Sequence, residues 1–117
     1  MWPVLLEKAF AKARGNYEII EGGNQNEASS FLSGSPSDYF MWSTATWVGS
    51  AAWTIMNNGF TGKYVMSLST PSTGSDSQAG TKGLPLNHAF TVLGTYSLYD
   101  SGSNLLDRVI KVRNPWG

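Results

Sequence analysis

The chain has 117 residues and no net charge, with eight basic and eight acidic side chains, so it is one domain or part of one. Balanced charge supplies no field to draw it to nucleic acid or an anionic membrane surface, and no apolar run approaches the ~18 residues of a membrane span. It contains no cysteine and a single histidine, which excludes disulfides, thiolate metal sites and a thiol nucleophile, and argues against a His-based zinc site.

Apolar residues make up 41% of the chain and aromatics 13%, enough for a packed core, yet charged residues make up only 14% against ~25% in ordinary soluble domains. A Trp-rich, sparsely charged surface is expected to be covered by a partner or by the rest of a longer chain. The opening Met1–Leu6 lacks a basic segment and is interrupted by Glu7-Lys8, unlike a signal peptide. The absence of an Asn-x-Ser/Thr sequon also argues against secretion.

Residues 2–14 predict an amphipathic helix with Pro3 in its first turn, a buried stripe of Trp2, Leu5, Leu6, Ala9, Phe10 and Ala13, and a stop at Gly15-Asn16. A helix with no lead-in residues suggests that Met1 is a start codon placed before an excised segment. Gly22-Gly23 permits unusual backbone angles or close approach of another chain. Asn26 is a candidate cap for a short helix over 27–32, closed by Ser33-Gly34. Ser35–Asp38 reads as a turn, and Tyr39–Trp42 as an apolar patch or short strand. A second full helix is expected over 45–57, burying Trp47, Val48, Ala51, Ala52, Ile55 and Met56 and ending at Asn57-Asn58-Gly59. Tyr64–Leu68 reads as a strand.

From Ser69 to Gly83 no aromatic and no aliphatic side chain larger than alanine occurs. Such a stretch cannot bury itself, and a mobile surface loop is expected, its length typical of a lid or binding loop. Gly74 to Lys82 matches a phosphate loop in neither spacing nor residue order, and the scattered acidic residues form no calcium-loop pattern.

Two β-like runs follow, His88–Gly94 and Arg108–Asn114, separated by the polar turn Asp100–Ser103. Folded as an antiparallel hairpin about Ser101, they set His88 and Asn114 across from each other on the face carrying Phe90, Val92, Ile110 and Val112. A neutral Asn oxygen accepting from an imidazole N–H fixes the ring's tautomer without adding charge, which suits a thiolate–imidazolium pair. The plainer reading is a structural histidine and an Asn-Pro turn. Trp116 is either a core residue or a cover that keeps water from the Asn–His contact. The element pattern is α+β, with helices followed by a mostly antiparallel sheet.

Several blocks together resemble the calpain family of papain-like cysteine endopeptidases: Trp2–Lys12, Gly15–Glu18, Glu21-Gly22-Gly23, His88–Gly94 and Ile110–Gly117. They lie in the family's order, while about residues 24–83 match only in helix–strand–loop plan. The resemblance implies that residues 1–117 are a partial domain, truncated at both ends: the second, His- and Asn-bearing subdomain of the protease core. It implies catalytic roles for His88 and Asn114, a shielding role for Trp116, and substrate-backbone binding at Gly23 and Asn87. Asn87 stands where these proteases normally have glycine. Pro71–Gly83 falls where they carry a loop gating the cleft. The family's cysteine and oxyanion glutamine belong to the preceding subdomain, and its calcium ligands here lie beyond the Trp-Gly. The expected partners are that upstream subdomain and a polypeptide substrate. Ca2+ dependence and a cytoplasmic location are expected of the parent, no metal ligand is assigned within these residues, and the segment alone is expected to be inactive. The alternative is a non-catalytic calpain-like protein-interaction module.

Overall fold

The structure is a computed structural model that describes residues 1–41, 49–80 and 83–116, with residues 49–50 described by backbone alone. The chain forms two compact units, Met1–Met41 and Trp42–Gly117.

The first unit opens with α1 (Trp2–Arg14), with Pro in its first turn, closed by Gly15 at φ 125° through an N–H donated to Ala11. A single 3₁₀ turn, Glu18–Ile20, follows, and the Ile19 N–H donates to Asn16 Oδ1 at 3.0 Å. Helix α2 (Gln25–Ser33) is capped at Asn24 rather than at the expected Asn26, and ends at Gly34 in the left-handed region, φ 69°. Arg14 in the last turn of α1 reaches Glu27 in the first turn of α2 at 2.8 Å. Each charge also suits its own helix end, although such an exposed pair contributes only about 0–1 kcal/mol. The Phe10 and Phe31 rings meet tilted by 59° at 4.8 Å between centroids. The buried stripe expected on α1 is corrected: Ala11 is its one buried residue, while Trp2 and Leu5 stand 72% and 66% exposed. Helical spacing identifies an apolar face but not whether anything covers it. Residues 39–41 form no strand; Trp42 lies outside the described residues.

The second unit places α3 (Gly49–Thr61) against a three-stranded antiparallel sheet ordered β1 (Ser67–Ser69), β2 (Ala89–Tyr99), β3 (Leu105–Arg113). This is the α+β arrangement expected. Ala52 and Met56 of α3 are buried, as are Phe90 and Val92 of β2, and Thr95 Oγ1 donates to Asn57 Oδ1 at 2.9 Å. Trp47 and Val48, expected in the α3 stripe, lie outside the described residues, whereas Ala51 and Ile55 are exposed.

Helix α3 runs through Asn57-Asn58-Gly59 instead of stopping there. Gly59 is buried, and a Cβ added to it would collide with Met66 Sδ, so this glycine serves close packing. The helix ends later, with Lys63 in the left-handed region at φ 59°. The Tyr64 N–H donates to Gly59 O at 2.9 Å and the Lys63 N–H to Phe60 O at 3.0 Å, a Schellman closure. That closure takes up part of the stretch expected as a strand, and β1 begins only at Ser67.

The β2–β3 turn is built on Asp100. Its carboxylate accepts from the Gly102 and Asn104 backbone N–H groups and from the Asn104 side chain. The Asn104 side chain first, then the Asn104 amide and, more weakly, the Gly102 amide hold this carboxyl below its ordinary range against an opposing effect of desolvation.

The 69–83 stretch is better tied than its composition suggests. Leu86 donates to Gln78 O at 2.9 Å and Gly80 to Leu84 O at 2.8 Å. A Cβ on Gly74 or Gly80 would stand 2.8 or 2.9 Å from Leu86 methyl carbons. The apolar anchor is Leu86, just outside the polar run.

Gly59→Val adds volume against Met66 without alanine's offsetting helix propensity. It is expected to lower unfolding stability by about 2 kcal/mol, measured by urea denaturation.

Candidate active site

His88 lies one residue before β2 and Asn114 one residue after β3. The hairpin brings them together, but not in the simple register. Thr91 pairs with Arg113 and Val92 with Val112, and irregularities fall at Val92/Gly94 and Leu98/Tyr99. Carried one residue further, this register sets Phe90 opposite Asn114 and His88 on the diagonal. The offset from the expected pairing is an even number of residues at this end, so both side chains keep the same face, and a diagonal neighbour is within reach of an imidazole. The first irregularity also shifts the inward phase of β2: Phe90, Val92 and Gly94 are buried, then Thr95.

His88 is 8% exposed. Its Nε2 lies 2.9 Å from Asn114 Oδ1. The same oxygen accepts the Trp116 backbone N–H at 3.0 Å. A backbone N–H can only donate, so the Asn114 atom between the two is the carbonyl oxygen and not the amide nitrogen. His88 Nε2 must then carry hydrogen, which leaves Nδ1 as the basic nitrogen of the neutral ring. The Phe90 ring meets the imidazole edge-on at 4.9 Å, and Trp116 lies over it at 4.3 Å between centroids, tilted 53°. Trp116 itself is 60% exposed, so it is not a core residue. Asp76–Ala79, Gly83 and Pro85 line a shallow groove of about 210 Å³ with Trp116, which brings the polar loop beside the indole.

Asn87 takes φ 46° and donates its N–H to Pro71 O at 2.9 Å. Asparagine tolerates the left-handed region better than other residues with a Cβ, so it fits this backbone angle. Gly23 belongs to the first unit. Its φ is 157°, and among the described residues no atom lies within 4 Å of where its Cβ would stand, leaving the backbone open on that side. The sequence reading passes over Thr70, whose hydroxyl accepts the His88 backbone N–H at 3.0 Å. Among the described residues no group of three or more His, Cys, Asp or Glu side chains is placed to hold a metal ion, and no helix is long and apolar enough to cross a membrane.

A histidine with one nitrogen committed to an amide oxygen keeps the other free to exchange a proton with a group that meets it. A family model, the calpain family cysteine proteases, matches residues 1–117, and the chain belongs to that family. It is similar to calpain-9 of Rattus norvegicus, 33% identical over 118 residues covering 99% of this chain and 16% of the relative. It is also similar to the calpain-2 catalytic subunit of Mus musculus, 32% identical with 99% and 16% covered, and to calpain-12 of Homo sapiens, 28% identical with 99% and 15% covered. The chain thus spans about one sixth of the length of the curated relatives it matches.

Replacing Asn87 with valine, which resists positive φ, is expected to cost about 1–2 kcal/mol of stability. Asn87→Gly is expected to be neutral or mildly stabilising, both read from thermal unfolding.

Proposed function

We propose that the parent protein is a calcium-dependent cysteine endopeptidase and that this chain is the His- and Asn-bearing second subdomain of its protease core. The observation that carries this reading is the His88–Asn114 contact at 2.9 Å, with Trp116 lying over the ring.

In the proposed mechanism a thiolate from the preceding subdomain attacks the carbonyl carbon of a polypeptide substrate. His88, protonated on both nitrogens beside that thiolate, gives its Nδ1 proton to the leaving amine as the C–N bond breaks, leaving a thioester. Water then attacks the thioester. His88 Nδ1 takes a proton from that water as the C–S bond breaks, releasing the acid product and restoring the thiolate–imidazolium pair. Asn114 holds the Nε2–H throughout, so the ring turns neither out of line nor into the other tautomer. A neutral amide suffices because the cysteine and histidine carry opposite charges. Trp116 keeps water from competing for that bond. The backbones at Gly23 and Asn87 bind the substrate's peptide groups.

The segment has no cysteine and is inactive alone. Among the described residues no group of three or more His, Cys, Asp or Glu side chains is placed to hold calcium, and no step here runs through it. The parent acts in the cytoplasm, with the upstream subdomain as this segment's partner.

Joined to its native upstream sequence, the chain is expected to cleave a peptide substrate in calcium and to lose activity on chelation. His88→Ala is expected to lower kcat at least about 10³-fold. No cleavage with an intact upstream cysteine would overturn the reading and favour a non-catalytic interaction module.

A further inference from the structure

Strand β1 pairs with β2 through Ser67 and Thr91, Leu68 and Phe90, and Ser69 and Ala89. Continued by one residue, this register sets Thr70 opposite His88. An antiparallel pair of this hydrogen-bonded kind exchanges two backbone bonds. Only one of these has the ordinary form here: the Thr70 N–H donates to His88 O at 3.0 Å. In the reciprocal bond the His88 N–H goes to Thr70 Oγ1 at 3.0 Å, a side-chain oxygen in place of the backbone carbonyl. The hydroxyl has one proton and two carbonyls in reach, Pro85 O at 2.7 Å and His88 O at 3.2 Å. His88 O is already engaged by the Thr70 N–H, and the shorter contact takes the proton.

We propose that Thr70 is a positioning residue for His88, its hydroxyl forming the last rung of the sheet at the histidine and tying that rung to Pro85 at the far end of the polar loop. The proposal rests on the proteolytic reading above. His88 sits outside β2 proper, between the left-handed Asn87 and the first strand residue, so no strand ladder fixes its Cα from that side. Asn114, Phe90 and Trp116 hold the ring, whereas Thr70 holds the backbone that carries it. Without the hydroxyl the His88 N–H loses its acceptor, and the peptide between Asn87 and His88 is freed to rotate. A displacement of ~1 Å at a reacting group is enough to cost ~10²-fold in rate. The side chain therefore acts on catalysis without touching substrate.

The test uses the parent protein with Thr70→Val, which keeps the shape and removes the hydroxyl, and Thr70→Ser, which keeps the hydroxyl and removes the methyl. The expected result for Thr70→Val is a roughly 10–100-fold fall in kcat with KM within about 2-fold, and faster hydrogen exchange at the His88 amide. Thr70→Ser is expected to return kcat to within about 3-fold of the wild type and to restore amide protection. Full kcat in Thr70→Val would overturn the proposal. So would a Ser variant as impaired as the Val variant, because packing of the methyl would then be the cause. A wild-type parent that cleaves nothing would refute the proteolytic reading instead; exchange at the His88 amide would still decide whether the hydroxyl holds it. Should Thr70→Val not fold, the comparison of Thr70→Ser with Thr70→Ala decides by the same criteria.

Discussion

Asn114 Oδ1 accepts two N–H groups, one from the His88 imidazole and one from the Trp116 backbone, and each bond gives meaning to the other. The backbone donor identifies the oxygen. The oxygen in turn sets the histidine's tautomer and leaves Nδ1 basic. The bond to Trp116 closes a tight turn across Pro115, and that turn returns the indole over the imidazole. The Asn-Pro turn and the His88–Asn114 contact thus share one oxygen.

The rest of the second unit serves that oxygen. The Asp100 turn and its amide donors set where β3 starts back along β2. The irregularities in the ladder change the pairing yet leave His88 and Asn114 on one face, since only a shift by an odd number would have separated them. Helix α3 supports β2 through Ala52, Met56 and the Thr95–Asn57 bond, and the glycine at 59 lets Met66 come close. At the strand entry, Thr70 and Asn87 fix the backbone from which the imidazole projects.

Much of this was legible in the residues. The α+β order, α1, the polar turn and the His88–Asn114 encounter follow from periodicity, turn chemistry and strand phase. What escaped has physical causes. Asn57-Asn58-Gly59 carries a stop signal that tertiary packing overrides, because Met66 needs the space a Cβ would fill. Composition made the 69–83 stretch look unanchored because its anchor, Leu86, lies outside it. Register was displaced because turn geometry and bulges cannot be counted from a midpoint. Thr70 was missed because a threonine before a proline signals nothing until its strand partner is known. The apolar stripe of α1 is legible in the spacing, whereas its exposure is not, because sequence spacing alone carries no information about cover.

At the centre of the account, His88 carries its proton on Nε2 and donates it in a hydrogen bond to Asn114 Oδ1. Long-range 1H–15N correlation of the imidazole, at a pH where the ring is neutral, tests this most directly. The account predicts Nδ1 with the shift of an unprotonated nitrogen and Nε2 with that of an N–H, the pattern weakening toward a tautomer mixture in Asn114→Ala. A neutral ring protonated on Nδ1, or a pattern unchanged by loss of the Asn114 amide, would contradict it.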